Sequence, residues 1–185
     1  MARKPRDEEA GAIHHVYALG NNRQPLFVDD RDRQVYLGYV DYVVRRQRWR
    51  LLAYCLMGNH VHLLIETPEP NLAEGMRELH GRFARWFHRR HGREGHHFLK
   101  RYGNTRIWTD AQLLTVVSYI VANPVAAGFC TTPEEWAWGS HARVVAGDQP
   151  PWLAADRLME YLGVWGDAQT TYERIVAARV PATPA

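Results

Sequence analysis

With 185 residues, 46% of them hydrophobic and 23% charged, the chain has room for one domain with a real core and is short for two. The formal charge of +3 says little about partners, but its distribution says more: between Arg82 and Arg106 stand eight Arg or Lys residues and a single acid, Glu94, and Arg45, Arg46, Arg48 and Arg50 form a second cluster. Such local basic surface suits a polyanion or, more plainly, a solvated arginine-rich face. Cys55 and Cys130, both in apolar surroundings, form neither a disulfide framework nor a zinc spacing, which fits a reducing, cytoplasmic setting. No apolar run is long enough for a membrane span, and the charged start, Met1 to Arg6, lacks the apolar stretch of a signal peptide.

In chain order, Ile13 to Leu19 predicts a first strand, with Val16 and Ala18 on one face and His15 and Tyr17 on the other. After the turn signal Gly20-Asn21-Asn22, Asp30 to Arg48 predicts a helix, because Tyr36, Val40, Val43 and Val44 recur at helical spacing. Arg50 to Met57 and His60 to Glu66 read as two strands of a hairpin joined at Gly58-Asn59. Asn71 followed by Glu74 resembles a reciprocal helix cap, and the helix it opens carries Leu72, Met76, Leu79, Phe83 and Phe87 on one face to about His91. A glycine-punctuated basic loop, Gly92 to Gly103, leads to a fourth strand, Asn104 to Trp108. Thr109 with Gln112 caps a third helix with Leu113, Val117 and Ile120 facing the core; Pro124 is expected to end it, since proline disfavours helical geometry in the residue before it.

Strand, helix, strand, strand, helix, strand, helix is the split βαβ order of a ferredoxin-like α+β sheet. The expected architecture has helices on one sheet face and an open catalytic face on the other, in a domain over residues 1–147. Residues 148–185, after the break at Pro150-Pro151, read as a short helical appendage with no assigned chemistry.

Strand alternation puts His60 and His62 on one face, with Val61, Leu63 and Ile65 opposite. Two neutral imidazoles ~6–7 Å apart along a strand can converge on one divalent ion, although a bare His-x-His is more often a pair of surface histidines and needs a partner to point to a metal. In the third helix Tyr119 and Asn123 are four residues apart and so share a face, a phenol beside an amide. Taken alone, they also read as a tyrosine at the rim of the core and a helix-ending asparagine.

The runs YCLMGNHVHLLIE, FHRRHGREGHHFLKRYGN and SYIVANPVAAG, opened by HHVYALGNNRQPLF and followed by WAWGSH, together resemble the REP-associated tyrosine transposases. These belong to the single-tyrosine HUH (IS200-like) transposases. The resemblance covers roughly Ala2 to Gly147. It implies that Tyr119 is the nucleophile and that His60, His62 and Asn123 are ligands of a divalent metal, Mg²⁺ or Mn²⁺. The implied activity is that of a DNA strand transferase that cuts and rejoins single-stranded DNA beside hairpin-forming repeats, through a 5′-phosphotyrosine link, as a monomer or homodimer. The sequence departs from the family pattern at Leu19 and Ala126, where arginines are common, and in WGSH.

Beside such a site Arg89, Arg90, Arg93, Lys100 and Arg101 would hold the phosphate backbone, and Tyr102, Phe98 and Trp108 are candidates to stack on unpaired bases, with Trp108 and Phe98 also readable as core filling. Two other readings stay open. One is a domesticated, non-cleaving binder of hairpin single-stranded nucleic acid, suggested by the altered arginine positions. The other is a metal hydrolase, which would want a carboxylate base beside the histidines. Glu66 lies on their face, but is read as facing solvent.

Overall fold

The computed structural model describes residues 8–180; residues 1–7, with the charged start considered above, and 181–185 lie outside the described residues. Four strands, β1 (Ala12–Leu19), β2 (Arg50–Leu56), β3 (His60–Thr67) and β4 (Gly103–Ile107), form one antiparallel sheet in the order β2-β3-β1-β4. Six α-helices accompany them: α1 (Asp30–Gln47), α2 (Leu72–His91), α3 (Asp110–Ala126), α4 (Ser140–Val145), α5 (Ala155–Gly163) and α6 (Ala168–Ala177). With two antiparallel helices crossing from β1 to β2 and from β3 to β4, this is the ferredoxin-like α+β arrangement expected from the element order.

Two cores flank the sheet, because strand side chains alternate in direction. Val16, Ala18, Leu56, Val61, Leu63 and Ile65 point to α1 and α2, where Tyr36, Val40, Val43, Met76, Leu79, Phe83 and Phe87 meet them. A bulge between Leu51 and Ala53 turns both Leu52 and Ala53 to the opposite side. There they join Cys55, Leu64, the apolar stripe Leu113, Val117, Ile120 and Val121 of α3, and Leu158, Leu162, Tyr172 and Val176 of α5 and α6. The second sheet face is therefore open only in part. The C-terminal helices and α3 cover it toward β2.

Local rules account for the helix ends that were expected, and packing for those that were not. The Asp29 carboxylate accepts from Asp32 N at the start of α1, and Asp32 accepts in return from Asp29 N and Val28 N. Thr109 caps α3 by accepting from Gln112 N at 3.2 Å. Asn71, by contrast, makes no cap bond. Its side chain accepts from Trp49 Nε1 at 2.7 Å and donates to the Gln47 carbonyl, tying α2 to the exit of α1. Gly75 makes this approach possible, since a β-carbon there would lie 2.2 Å from the Trp49 ring. Pro124 does not end α3, which continues to Ala126. The Ala127 N–H bonds the Asn123 carbonyl at 3.0 Å, and Gly128, at φ 73°, then turns the chain away.

Glu66 is buried, not solvent-facing. It is 3% exposed, accepts from Arg50 Nη1 at 2.5 Å and from Arg157 Nε at 3.1 Å, and so pins α5 to the end of β3. Its charge is committed to two guanidinium groups, which removes it as the base a hydrolase would need. At the other end of the C-terminal segment, His141 bridges Tyr172 Oη (2.7 Å) and Glu134 Oε1 (2.8 Å), fastening α6 to α4. Among the described residues no helix is long and apolar enough to cross a membrane.

Candidate active site

His60 and His62 leave β3 on the α3 side of the sheet, as the two-residue period requires. Their rings lie 5.0 Å apart. Helix α3 lies across them because its apolar stripe is buried in the second core, which turns Tyr119 and Asn123 toward the histidines. The Tyr119 ring meets His62 edge-on at 5.2 Å, and Asn123 Oδ1 stands 3.2 Å from His60 Nε2. Four residues drawn from positions about sixty apart in sequence are thus brought together, and the continuation of α3 through Pro124 keeps Tyr119 and Asn123 on one face.

A fifth residue, His15, belongs to the same cluster. Its Nε2 lies 3.0 Å from His62 Nδ1, and its ring is 6.0 Å from that of Tyr119. Its position on the Tyr17 face of β1 was legible, but its partnership with His62 requires β1 to be the sheet neighbour of β3. Tyr17 borders the group, 5.9 Å from His15, and fits there because Gly103 opposite it has no β-carbon; one would lie 2.0 Å from the Tyr17 ring. From α6's exit, the Arg179 guanidinium lies over the Tyr119 ring at 5.2 Å.

Burial holds all three imidazoles neutral. It lowers the pKa of His15; it lowers that of His60 against an opposing hydrogen bond from Asn123; and, with the neighbouring histidines adding, it pushes His62 down to about 3. Neutral imidazoles are metal ligands. Among the described residues no three His, Cys, Asp or Glu side chains form a metal-holding group, so the candidate donors are two imidazoles and one amide. They suit a divalent ion on two counts. His62 Nε2 is buried with no hydrogen-bond partner, so its lone pair is uncommitted. The 3.2 Å between His60 Nε2 and Asn123 Oδ1 is close to the ~3 Å that separates neighbouring ligands of an octahedral ion with ~2.1 Å bonds. For His62 to ligate through Nε2, its Nδ1 carries the proton and donates to His15, which fixes the ring.

The expected DNA-contacting residues fare unequally. Arg89, Arg93, Lys100 and Arg101 are exposed. The Lys100 ammonium lies 5.7 Å from the ring of Tyr17, which borders the cluster. Arg93 lies over the Phe87 ring, and the Arg101 carbonyl accepts from His80 Nδ1. Arg90 is engaged within the protein: its guanidinium bridges Asp29 at 2.7 Å and the fully buried Asp32, joining the end of α2 to the start of α1. Tyr102, at 3% exposure, is packed in the first core and has no free ring face for a base. Phe98 does fill the core side, stacked on His80 at 4.0 Å, but Trp108 does not: it is 66% exposed.

The family described as Transposase IS200 like matches residues 10–123, a span that takes in every residue of the cluster except Arg179. A protein of Haemophilus influenzae, assigned by inference as a REP-associated tyrosine transposase, is 24% identical over 162 residues, covering 82% of this chain and 92% of its own. A solved REP-associated tyrosine transposase bound to a REP hairpin shares the fold, with a TM-score of 0.67 over 81% of this chain and 89% of that one, at 21% identity. The chain belongs to the IS200-like transposase family.

Proposed function

We propose that the protein is a DNA strand transferase that cleaves and rejoins single-stranded DNA beside a hairpin-forming repeat, with Tyr119 as nucleophile. The observation that carries this reading is the convergence of Tyr119 and Asn123 of α3 on the His60–His62 pair of β3, inside a cluster of neutral imidazoles of which His62 is buried and His15 and His60 half-buried. A hairpin is taken as the recognised element because the solved relative is bound to a REP hairpin, and the single-stranded flank is what the resemblance to the family implies.

In this reading the Tyr119 oxygen attacks the scissile phosphorus. A bond forms from Oη to phosphorus, the bond to the 3′ oxygen breaks, and the DNA is left with a free 3′ hydroxyl and a 5′ phosphate on the tyrosine. The phenol loses its proton and the leaving 3′ oxygen gains one. A free phenol titrates near 10, so the reaction needs positive charge close to the oxygen as it ionises. Arg179, over the Tyr119 ring, supplies a cation on one side. His60, His62 and Asn123 would hold Mg²⁺ or Mn²⁺, which when bound polarises the phosphate and offsets its growing charge. Neutral donors leave the ion's full charge for that task, and imidazole ligands favour Mn²⁺ over Mg²⁺. His15 keeps the His62 ring turned for ligation. The phosphotyrosine bond preserves the energy of the broken linkage, so a second 3′ hydroxyl reverses the step without ATP. Arg89, Arg93, Lys100 and Arg101 hold the backbone of the flank electrostatically.

The test is covalent trapping. Incubated with hairpin substrates carrying single-stranded flanks and Mn²⁺, the protein is expected to form a 5′-linked DNA adduct on denaturing gels that maps to Tyr119 by peptide sequencing. An adduct at Tyr17 would keep the activity and overturn the site. Cleavage with no adduct would make water the nucleophile and end the transferase reading. Specific hairpin binding with neither cleavage nor adduct would leave a non-cleaving binder.

A further inference from the structure

Trp108 lies at the exit of β4, one residue before the cap of α3, and at 66% exposure it is the tryptophan most open to solvent. Its setting is built. The Arg106 guanidinium lies 3.8 Å from its ring centroid and is itself held by Glu9 at 2.5 Å. The Trp108 N–H donates to Gln112 Oε1 at 2.8 Å, which ties its backbone to the first turn of α3. A cavity of about 210 Å³ opens beside the pair, lined by Ile13, Arg106, Trp108, Thr109, Asp110 and Leu113. One ring face is thus covered by a planar cation, the backbone is fixed, and much of the indole is left facing water.

We propose that Trp108, backed by Arg106, is a stacking platform for an unpaired base of the single-stranded flank. This rests on the strand-transferase reading above and adds a base-binding position to it. The chemistry favours a nucleobase over other occupants. An indole–guanidinium stack offers a flat π surface with an adjoining cation, which matches a flat heteroaromatic ring attached to a phosphate. The position also fits. Trp108 stands two residues before the start of α3 and Tyr119 near its middle: from Asp110 to Tyr119 is nine positions, or ~14 Å along the axis, a distance a few unpaired nucleotides span. A base seated on Trp108 would fix the register of the strand relative to Tyr119. β4 is an edge strand, so the flank can reach both places without entering the sheet. Tyr102 and Phe98, the aromatics that the basic loop offers in sequence, are packed into or against the first core and leave this task to Trp108.

The experiment measures equilibrium binding of a fluorescein-labelled oligothymidylate, and of an abasic oligonucleotide of the same length, by anisotropy. All proteins carry Tyr119→Phe so that no cleavage intrudes. Trp108→Ala is expected to bind oligothymidylate about 5- to 100-fold more weakly, in line with the usual loss of a base–aromatic stack. Its binding to the abasic strand and its salt dependence should be unchanged, and Trp108→Phe should recover most of the affinity. Equal affinity of Trp108→Ala and the parent for oligothymidylate overturns the platform while leaving the active site standing. So does an equal loss on the abasic strand, which would mean backbone contact or misfolding. A change in oligomeric state on sedimentation, with DNA binding intact, would assign the tryptophan to a contact between copies instead. Failure of the parent to bind any single strand would remove the strand-transferase reading and the platform together.

Discussion

Tyr119→Phe separates chemistry from packing at the centre of the site. The contacts of Tyr119 run through its ring: His62 edge-on at 5.2 Å, His15 at 6.0 Å and the Arg179 guanidinium at 5.2 Å. Phenylalanine keeps that ring, and the buried stripe of α3 is untouched. The cost to folding is therefore at most about 1–1.5 kcal/mol, the worth of one hydrogen bond. A domain of ordinary stability, roughly 5–15 kcal/mol, would remain more than ~99% folded after that loss. Unfolding cannot then account for more than a marginal loss of activity, whereas loss of the nucleophile removes both cleavage and rejoining. The assay pairs urea denaturation, read as midpoint and slope, with single-turnover cleavage of a hairpin substrate bearing a single-stranded flank. The expected result is a midpoint close to the parent's, DNA affinity within a few-fold of it, and no product. Residual cleavage at a substantial fraction of the parent's rate in a folded variant would refute the assignment. A loss of stability far beyond ~1.5 kcal/mol, taken from midpoint and slope, would show that the hydroxyl is structural.

Other consequences can be tested independently. His15→Ala leaves His60, His62 and Asn123 in place but frees the His62 ring to turn; Mn²⁺ affinity by calorimetry should fall roughly 10- to 100-fold, and an unchanged affinity would remove His15 from the site. Arg89→Ala with Arg93→Ala should weaken DNA binding and flatten its salt dependence by about one unit of slope at most per lost phosphate contact, while Arg90→Ala, which breaks the bridge to Asp29 and Asp32, should act mainly on thermal stability; the opposite pattern would place the DNA on the α1 side. His80, outside the site, is pushed down to about 4 by burial, so in the folded state it stays neutral where the unfolded chain is protonated. Its contribution is intact above pH 6.5, and stability should decline as pH falls from there through about 4; His80→Gln should flatten that decline in urea titrations, and an unaltered slope would refute it.

How far the sequence could be read depended on whether a feature is local. The strands, α1, α2 and the start of α3 follow from alternation, helical spacing and caps within a few residues, and the common face of His60 and His62 needs only the period of a strand. Features that depend on a distant partner were not legible. Glu66 reads as solvent-facing until Arg157, ninety-one residues later, is brought to it by α5. Arg90 reads as one more free cation of a basic run until α1 supplies Asp29 and Asp32. His15 lies beside His62 only because β1 takes the place between β3 and β4. Trp108 and Tyr102 exchange their expected environments for the same reason. An aromatic residue in a loop or at a strand end is committed to core or solvent by the elements around it, and this pair stands only six positions apart.

Pro124 shows where such tertiary forces bear on the chemistry. Having no N–H, it leaves the Ile120 carbonyl without its usual helical donor, and local preference would stop α3 one residue earlier. Yet Leu113, Val117, Ile120 and Val121 are buried against the sheet and α6, and that apolar burial outweighs one missing backbone bond. The helix therefore continues, and it is closed by Ala127 N to the Asn123 carbonyl and Gly128 N to the Val125 carbonyl. Asn123 thereby stays in register with Tyr119, its side-chain oxygen 3.2 Å from His60. The amide that completes the candidate metal donors is aimed by the second core, much of which comes from α5 and α6. Those helices, in a segment with no recognisable chemical motif, help to shape the site: they hold α3 in place, and the turn after α6 carries Arg179 to Tyr119.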